Sequence, residues 1–206
     1  MVSLLMDAKE SRIPAGRSLH IQWGNNMNAI EHVHPEDNVI VRGENTEDTE
    51  ERSVIRSINE AAFGGPDEAD LVDSLRTEGV VLVSLVAELE KRMVGHILFS
   101  RMSIETTTGS VSAAALAPMA VLPEHQRRGI GERLIRHGLD LLRGRGEQIV
   151  IVVGHPDYYP RFGFSSEKAG SLESPFPSDA FMAMELSPGA LDGVRGKVRY
   201  PAAFGL

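Results

Sequence analysis

The chain contains no cysteine among its 206 residues. That excludes disulfides and thiolate metal sites, and it removes a cysteine nucleophile from any chemistry proposed for it. No apolar run reaches membrane-spanning length, and Met1 to Met6 has no basic segment ahead of a proper apolar core. Neither a membrane helix nor a secretory leader is indicated, so a soluble cytoplasmic protein is expected. Two phosphate-binding signatures are missing as well. No Gly-Lys-Ser or Gly-Lys-Thr ending is present, as a Walker loop requires, and the third glycine of a dinucleotide fingerprint would fall on Leu134. A net charge of −8 argues against a surface built to hold nucleic acid.

The length is ample for one hydrophobic core and short for two. The charge is unevenly spread. From Glu124 to Arg145 six arginines face Glu124, Glu132 and Asp140, a local balance of +3 that leaves −11 for the rest. A basic segment on an acidic protein suits an anionic ligand and, more weakly, a cationic amine substrate. Arg133, Arg136, Arg143 and Arg145 read as a solvated helix face.

That basic segment opens on Val121-Leu122-Pro123-Glu124-His125-Gln126-Arg127-Arg128-Gly129-Ile130-Gly131. The uncharged run from Ala113 to Val121 has the composition of a buried strand. Pro123 closes it, because proline cannot donate to a ladder and restricts the residue before it. Ile130, Leu134, Ile135, Leu139 and Leu142 then recur at helical spacing. The amides of Arg127 to Glu132 are the unpaired donors of a helix start, where the macrodipole favours an anion. Gly129 and Gly131 let a ligand approach the backbone. Such a turn suits a pyrophosphate.

Downstream, Gln148 to Val153 is a short β-branched run followed by Tyr158-Tyr159-Pro160-Arg161-Phe162-Gly163-Phe164. The pattern Gln126-x-x-Gly129-x-Gly131 resembles the acetyl-CoA pyrophosphate loop of the GNAT superfamily of N-acetyltransferases. Tyr159, Gly163 and Phe164 match its Tyr-x-x-x-Gly-Phe box at the usual distance. The resemblance extends from about Val39 to the C-terminus, with its motifs inside residues 113–164, and it is strongest to bacterial acetyltransferases with a Tyr-Tyr-Pro-Arg-Phe-Gly-Phe ending.

The resemblance implies an α/β fold, a mixed β-sheet flanked by helices, splayed between the central strand (113–121) and the next one (148–153). It implies acetyl-CoA as acyl donor, an amine acceptor and no metal. Gln126, Arg127, Arg128, Gly129, Ile130 and Gly131 would hold the pyrophosphate. Backbone amides at Met119, Ala120 and Val121 would meet the pantetheine arm and thioester oxygen. Tyr159 would be the general acid toward the leaving thiolate; its phenol is protonated at neutral pH. Tyr158 is the less favoured candidate. The central-strand positions that often carry a Glu or His base are Ala115 and Ala117 here, and neither titrates. Glu88 and His96 on the preceding strands and His155 at the end of the following one could each act through water or equally be a surface or core polar residue, and no base is assigned.

Residues 1–37 carry no periodicity and read as a flexible N-terminal extension, with Met27 as an alternative start; residues 38–206 form the catalytic domain. His32 and His34 read as solvent-exposed. The expected elements are strands at Asn38–Arg42, Val80–Glu90, Met93–Ile104, Ala180–Leu186 and Gly196–Tyr200, and helices at Thr49–Phe63 and Asp67–Arg76. A short helix is expected to begin at Pro156 and Asp157 and to present Tyr159. The oligomeric state is left as monomer or homodimer, with no membrane or nucleic-acid partner. Three functions are carried forward: an acetyl-CoA-dependent N-acetyltransferase, an acyltransferase with another acyl group or acceptor, and a non-catalytic acyl-CoA-binding regulatory module.

Overall fold

The first helix, α1 (Thr49–Phe63), has the bounds that its flanking residues dictate. Asp48 accepts from the amides of Glu50 and Glu51 at its start, and Gly64, left-handed at φ 77°, ends it with its N–H on the Glu60 carbonyl. Ile55 and Ile58 are buried, with Val54, Ala62 and Phe63 at the margin. Helix α2 (Asp67–Thr77) follows directly, its first turn carrying Asp67, Glu68 and Asp70 where the macrodipole favours them. The computed structural model describes residues 38–206, so the N-terminal extension, His32 and His34 lie outside the described residues.

The described residues form an eight-stranded sheet. Its main path runs β1 (Val39–Gly43), β2 (Val81–Leu89), β3 (Arg92–Thr106), β4 (Gly109–Val121), β5 (Ile149–Val153) and β7 (Phe181–Glu185). All neighbours on this path are antiparallel except β4 and β5. β8 (Gly196–Arg199) pairs with the far end of β3 and with the short β6 (Leu172–Glu173). Helix α3 (Ile130–Gly144) covers one face of the sheet; α1 and α2 cover the other. A side chain on Gly138 of α3 would overlap the Phe99 ring of β3, so that glycine sets how closely helix and sheet pack.

β4 and β5 form the parallel pair that positions the site. Their register runs only from Ala114↔Val150 to Leu116↔Val152. Beyond Leu116, β4 continues to Val121 still paired with β3, while β5 ends at Val153. The expected fork between the two strands is therefore present. Pro118 sits where β4 has lost β5, at a bulge between Ile97 and Phe99 of β3, and its missing donor leaves no ladder bond broken on that side.

Two expectations are corrected. No α-helix follows β5; Tyr159–Phe162 form a single 3-10 turn that starts beyond Pro156 and Asp157. Pro160 cannot donate to a preceding turn, and Gly163, left-handed at φ 99°, ends the element after four residues. β4 also begins at Gly109 rather than Ala113, because Ser110, Val111 and Ser112 pair with Ser103 to Glu105 of β3.

Candidate active site

The loop from Val121 to Ile130 folds back on the strand it leaves. Gln126 Nε2 donates to the Val121 carbonyl at 3.0 Å, so this side chain shapes the loop from within. Arg127 takes φ 61° and Gly129 φ 76°. Alternation of left-handed and ordinary residues turns successive N–H groups to one side and makes an anion-binding concavity. Arg127 pays roughly 1 kcal/mol for a conformation that side chains disfavour. No side chain caps α3, and its first intrahelical bond to Gly129 comes from Arg133. The amides of Ile130, Gly131 and Glu132 thus have no partner within the helix. Arg127 and Arg128 are exposed and pair with no carboxylate among the described residues. Around Gly129 a Cβ would meet nothing within 4 Å. Free donors, two arginines and open space fit a pyrophosphate.

β4 supplies the next group of donors. Leu122 N–H donates to the Val94 carbonyl on β3 at 2.9 Å. Backbone direction alternates along a strand, so Ala120 turns its amide toward His96 on β3, while Met119 and Val121 turn theirs into the fork. The Val121 carbonyl pointing the same way is the one Gln126 engages. Within the expected stretch Met119 to Val121, the first and last residues face the gap and Ala120 faces its neighbour.

The two tyrosines after β5 divide the space. Tyr159 is buried, with its ring where a side chain on Gly154 would stand and edge-on to Phe164 at 5.7 Å. Burial, followed by the neighbouring Tyr158, pushes its phenol well above the ordinary value of 10.0 and holds it protonated. Tyr158 is half-buried beneath the Arg161 guanidinium, 4.4 Å from the ring centroid. Its hydroxyl reaches the first turn of α3: a Cβ on Gly131 would fall 2.9 Å from Tyr158 Oη and 3.2 Å from Met119 Sδ. Tyr158 thus borders the anion loop, a position that pattern alone did not reveal. Its phenol is also raised by burial.

The titratable residues near the central strand are otherwise engaged. Glu88 accepts from Arg42 Nε at 2.9 Å and Nη2 at 2.6 Å. His96 is fully buried, with Nδ1 3.2 Å from Asn59 Nδ2 and Nε2 3.0 Å from Ser84 Oγ. Ser84 Oγ donates in turn to Glu44 at 2.5 Å, and Glu44 pairs with Arg76 at 2.6 Å. Asn59 donating to Nδ1 makes Nε2 the protonated nitrogen, donating to Ser84. Burial, reinforced by Arg76, lowers the His96 pKa to about 3. His96 is a neutral structural hub. His155 sits half-buried after β5 with Nε2 buried and unpartnered among the described residues. Ala115 and Ala117 are buried in the apolar cluster on the α1–α2 face of β4.

In sequence and fold the chain is similar to known acetyltransferases. Residues 44–166 match the family model for an acetyltransferase (GNAT) domain. The chain is 42% identical over 137 residues to the uncharacterised N-acetyltransferase YjhQ of Escherichia coli K12, covering 64% of this chain and 76% of that protein. The uncharacterised N-acetyltransferase YhbS of the same strain is 32% identical over 146 residues, covering 69% and 86%. The crystal structure of YhbS in complex with CoA superposes with a TM-score of 0.75 at 29% identity, over 82% of this chain and 93% of that one. A Brucella melitensis GNAT acetyltransferase in complex with acetyl-CoA gives 0.66 at 34% identity, over 81% and 97%. The chain belongs to the GNAT acetyltransferase family.

Proposed function

We propose that the protein transfers the acetyl group of acetyl-CoA to a primary amine, by direct attack within a ternary complex. The observation that carries this reading is convergence. The unpaired amides at the start of α3, the fork-facing amides of Met119 and Val121, and the Tyr158 hydroxyl beside Gly131 and Met119 lie around the end of β4 where it has left β5, and Tyr159 follows Tyr158 in the chain. Solved relatives with the same fold hold CoA or acetyl-CoA.

In this reading the loop and Arg127 and Arg128 neutralise the pyrophosphate. Tyr158 and Met119 flank the pantetheine arm. A fork-facing amide of β4 donates to the thioester oxygen and strengthens its hold as that oxygen gains charge, an effect worth ~3 kcal/mol per donor. The amine nitrogen bonds to the carbonyl carbon, and the carbon–sulfur bond breaks. The nitrogen loses its proton to water, Tyr159 gives its proton to the thiolate, and solvent restores it. With no cysteine in the chain, no thiol is available to carry the acetyl group between donor and acceptor.

The test uses the full-length chain, acetyl-CoA and a panel of primary amines. Calorimetry measures CoA binding, thiol release measures turnover, and mass spectrometry identifies the acetylated amine. Amine-dependent thiol release with matching acetyl product is the expected result. Tight CoA binding without turnover on any amine would favour the regulatory-module reading instead.

A further inference from the structure

The 3-10 turn after β5 carries a cation outside the acetyl-transfer machinery. Arg161 lies exposed on that turn, yet it is held in one place. Its Nε donates to the Tyr158 carbonyl at 3.0 Å. Its guanidinium carbon stands 4.4 Å from the Tyr158 ring centroid and 5.9 Å from that of Phe162. Its two Nη groups meet no acceptor, and no carboxylate pairs with it, among the described residues. Tyr158 ties this cation to the anion loop. The face of its ring carries Arg161, and its hydroxyl lies 2.9 Å from where a Cβ on Gly131 would stand. Arg136 stands 5.4 Å from the Phe162 ring and holds Glu132 through Nε at 2.9 Å. The carboxylate in the first turn of α3 is thus already paired, and Arg161 stays available.

We propose that Arg161 binds the 3′-phosphate of CoA and makes the protein select CoA over its 3′-dephospho form. The inference rests on the acetyl-CoA reading above and names a specificity residue for that ligand. CoA carries two anionic centres, the diphosphate on the ribose 5′ carbon and a phosphate on the 3′ carbon. The amides at the start of α3 and the arginines of the loop serve the first. A ribose separates the two anions, and one tyrosine ring links Gly131 to Arg161. The thioester end runs inward past Met119 to the fork, so the adenosine end leaves toward solvent, where Arg161 is exposed. A guanidinium presents N–H donors in a fork that matches phosphate oxygens. With Nε engaged by Tyr158, the Nη donors form the outward edge. Stacking on Tyr158 and the Nε bond fix its orientation before a ligand arrives, so binding has little left to order. A thioester on a carrier-bound phosphopantetheine lacks this phosphate, so the same contact favours free acyl-CoA as donor.

Calorimetry measures the binding of CoA and of 3′-dephospho-CoA to the full-length chain and to its Arg161→Gln, Arg161→Lys and Arg143→Gln variants. Wild type is expected to bind CoA about 10- to 100-fold more tightly than dephospho-CoA. Arg161→Gln should lose most of that preference through weaker CoA binding, with dephospho-CoA affinity unchanged. Arg161→Lys keeps the charge and loses the fork, and should retain part of the preference. Arg143→Gln removes one positive charge elsewhere on α3, where Arg143 pairs with Asp140 at 2.8 Å, and should keep the wild-type ratio. Equal affinity of wild type for the two ligands overturns the inference and leaves acetyl transfer intact. An Arg161→Gln protein that weakens both ligands alike does the same, since Arg161 then acts only by packing against Tyr158. Failure of the wild-type chain to bind CoA at all overturns both readings together.

Discussion

The ring of Tyr159 occupies the space that a side chain at Gly154 would fill. The glycine that follows β5 is thereby tied to the residue proposed to protonate the leaving thiolate. Any Cβ at 154 must displace that ring. Gly154→Ala is expected to destabilise the fold by ~1–3 kcal/mol, as overpacking does. It should also lower kcat more than it weakens CoA binding. Urea unfolding and steady-state kinetics on the same preparation check both, and unchanged kcat would separate Gly154 from the placement of Tyr159.

Tyr159→Phe removes one oxygen and keeps the packing against Gly154 and Phe164. The expected loss in kcat is on the order of 10²-fold, with CoA affinity nearly constant. Burial raises the Tyr159 pKa above its ordinary 10.0, so the phenol stays protonated through the neutral and mildly alkaline range. The wild-type rate should therefore show no falling basic limb from this residue below pH ~10. Tyr158→Phe, whose hydroxyl borders Gly131 rather than Gly154, should instead weaken CoA binding and leave kcat largely intact.

Gly129 separates two effects in the anion loop. It is left-handed at φ 76°, yet a Cβ there meets nothing within 4 Å. Gly129→Ala should cost ~1–2 kcal/mol of stability through backbone strain and keep measurable CoA affinity. Gly129→Asp adds a negative charge beside the proposed pyrophosphate site and should weaken CoA binding on the order of 100-fold or more. Calorimetry on both folded variants decides it; equal affinities would remove the loop from phosphate binding.

His96 predicts a pH dependence of stability. Its folded pKa is lowered to about 3 from an ordinary 6.5. Above 6.5 both folded and unfolded forms are neutral. Between 6.5 and about 3 only the unfolded chain takes up the proton, so stability falls as pH falls, by up to ~1.4 kcal/mol per pH unit. Other groups, such as Glu51, whose pKa is lowered chiefly by its hydrogen bond to Arg42, also lose stability in acid. They do so equally in a variant. His96→Gln should be less stable than wild type at pH 7 because Ser84 and Asn59 lose good partners, and the gap should narrow toward pH 4.5. A gap that stays constant in urea titrations at the two pH values would contradict a neutral buried His96.

Local signals in the sequence determined much of this protein. Asp48 and Gly64 bound α1 because capping acts within one turn, and the apolar spacing from Ile130 to Leu142 specified the inward face of α3. The strand, loop and helix around Gly129, and the Tyr159 box, were legible because glycine spacing and proline placement constrain the backbone residue by residue. Tertiary structure alone decided where β4 and β5 part, since strand pairing depends on what each edge meets. It turned the expected helix at Pro156 into a 3-10 turn over Tyr159–Phe162. It tied His96 to Asn59 and Ser84, and so removed a candidate base that strand order had left open. It gathered Phe176, Tyr200 and Phe204 against Ala115 and Ala117, residues far apart in the chain. No periodicity or motif encodes that meeting, because contacts between distant segments follow from how the sheet closes and which faces its strands bury.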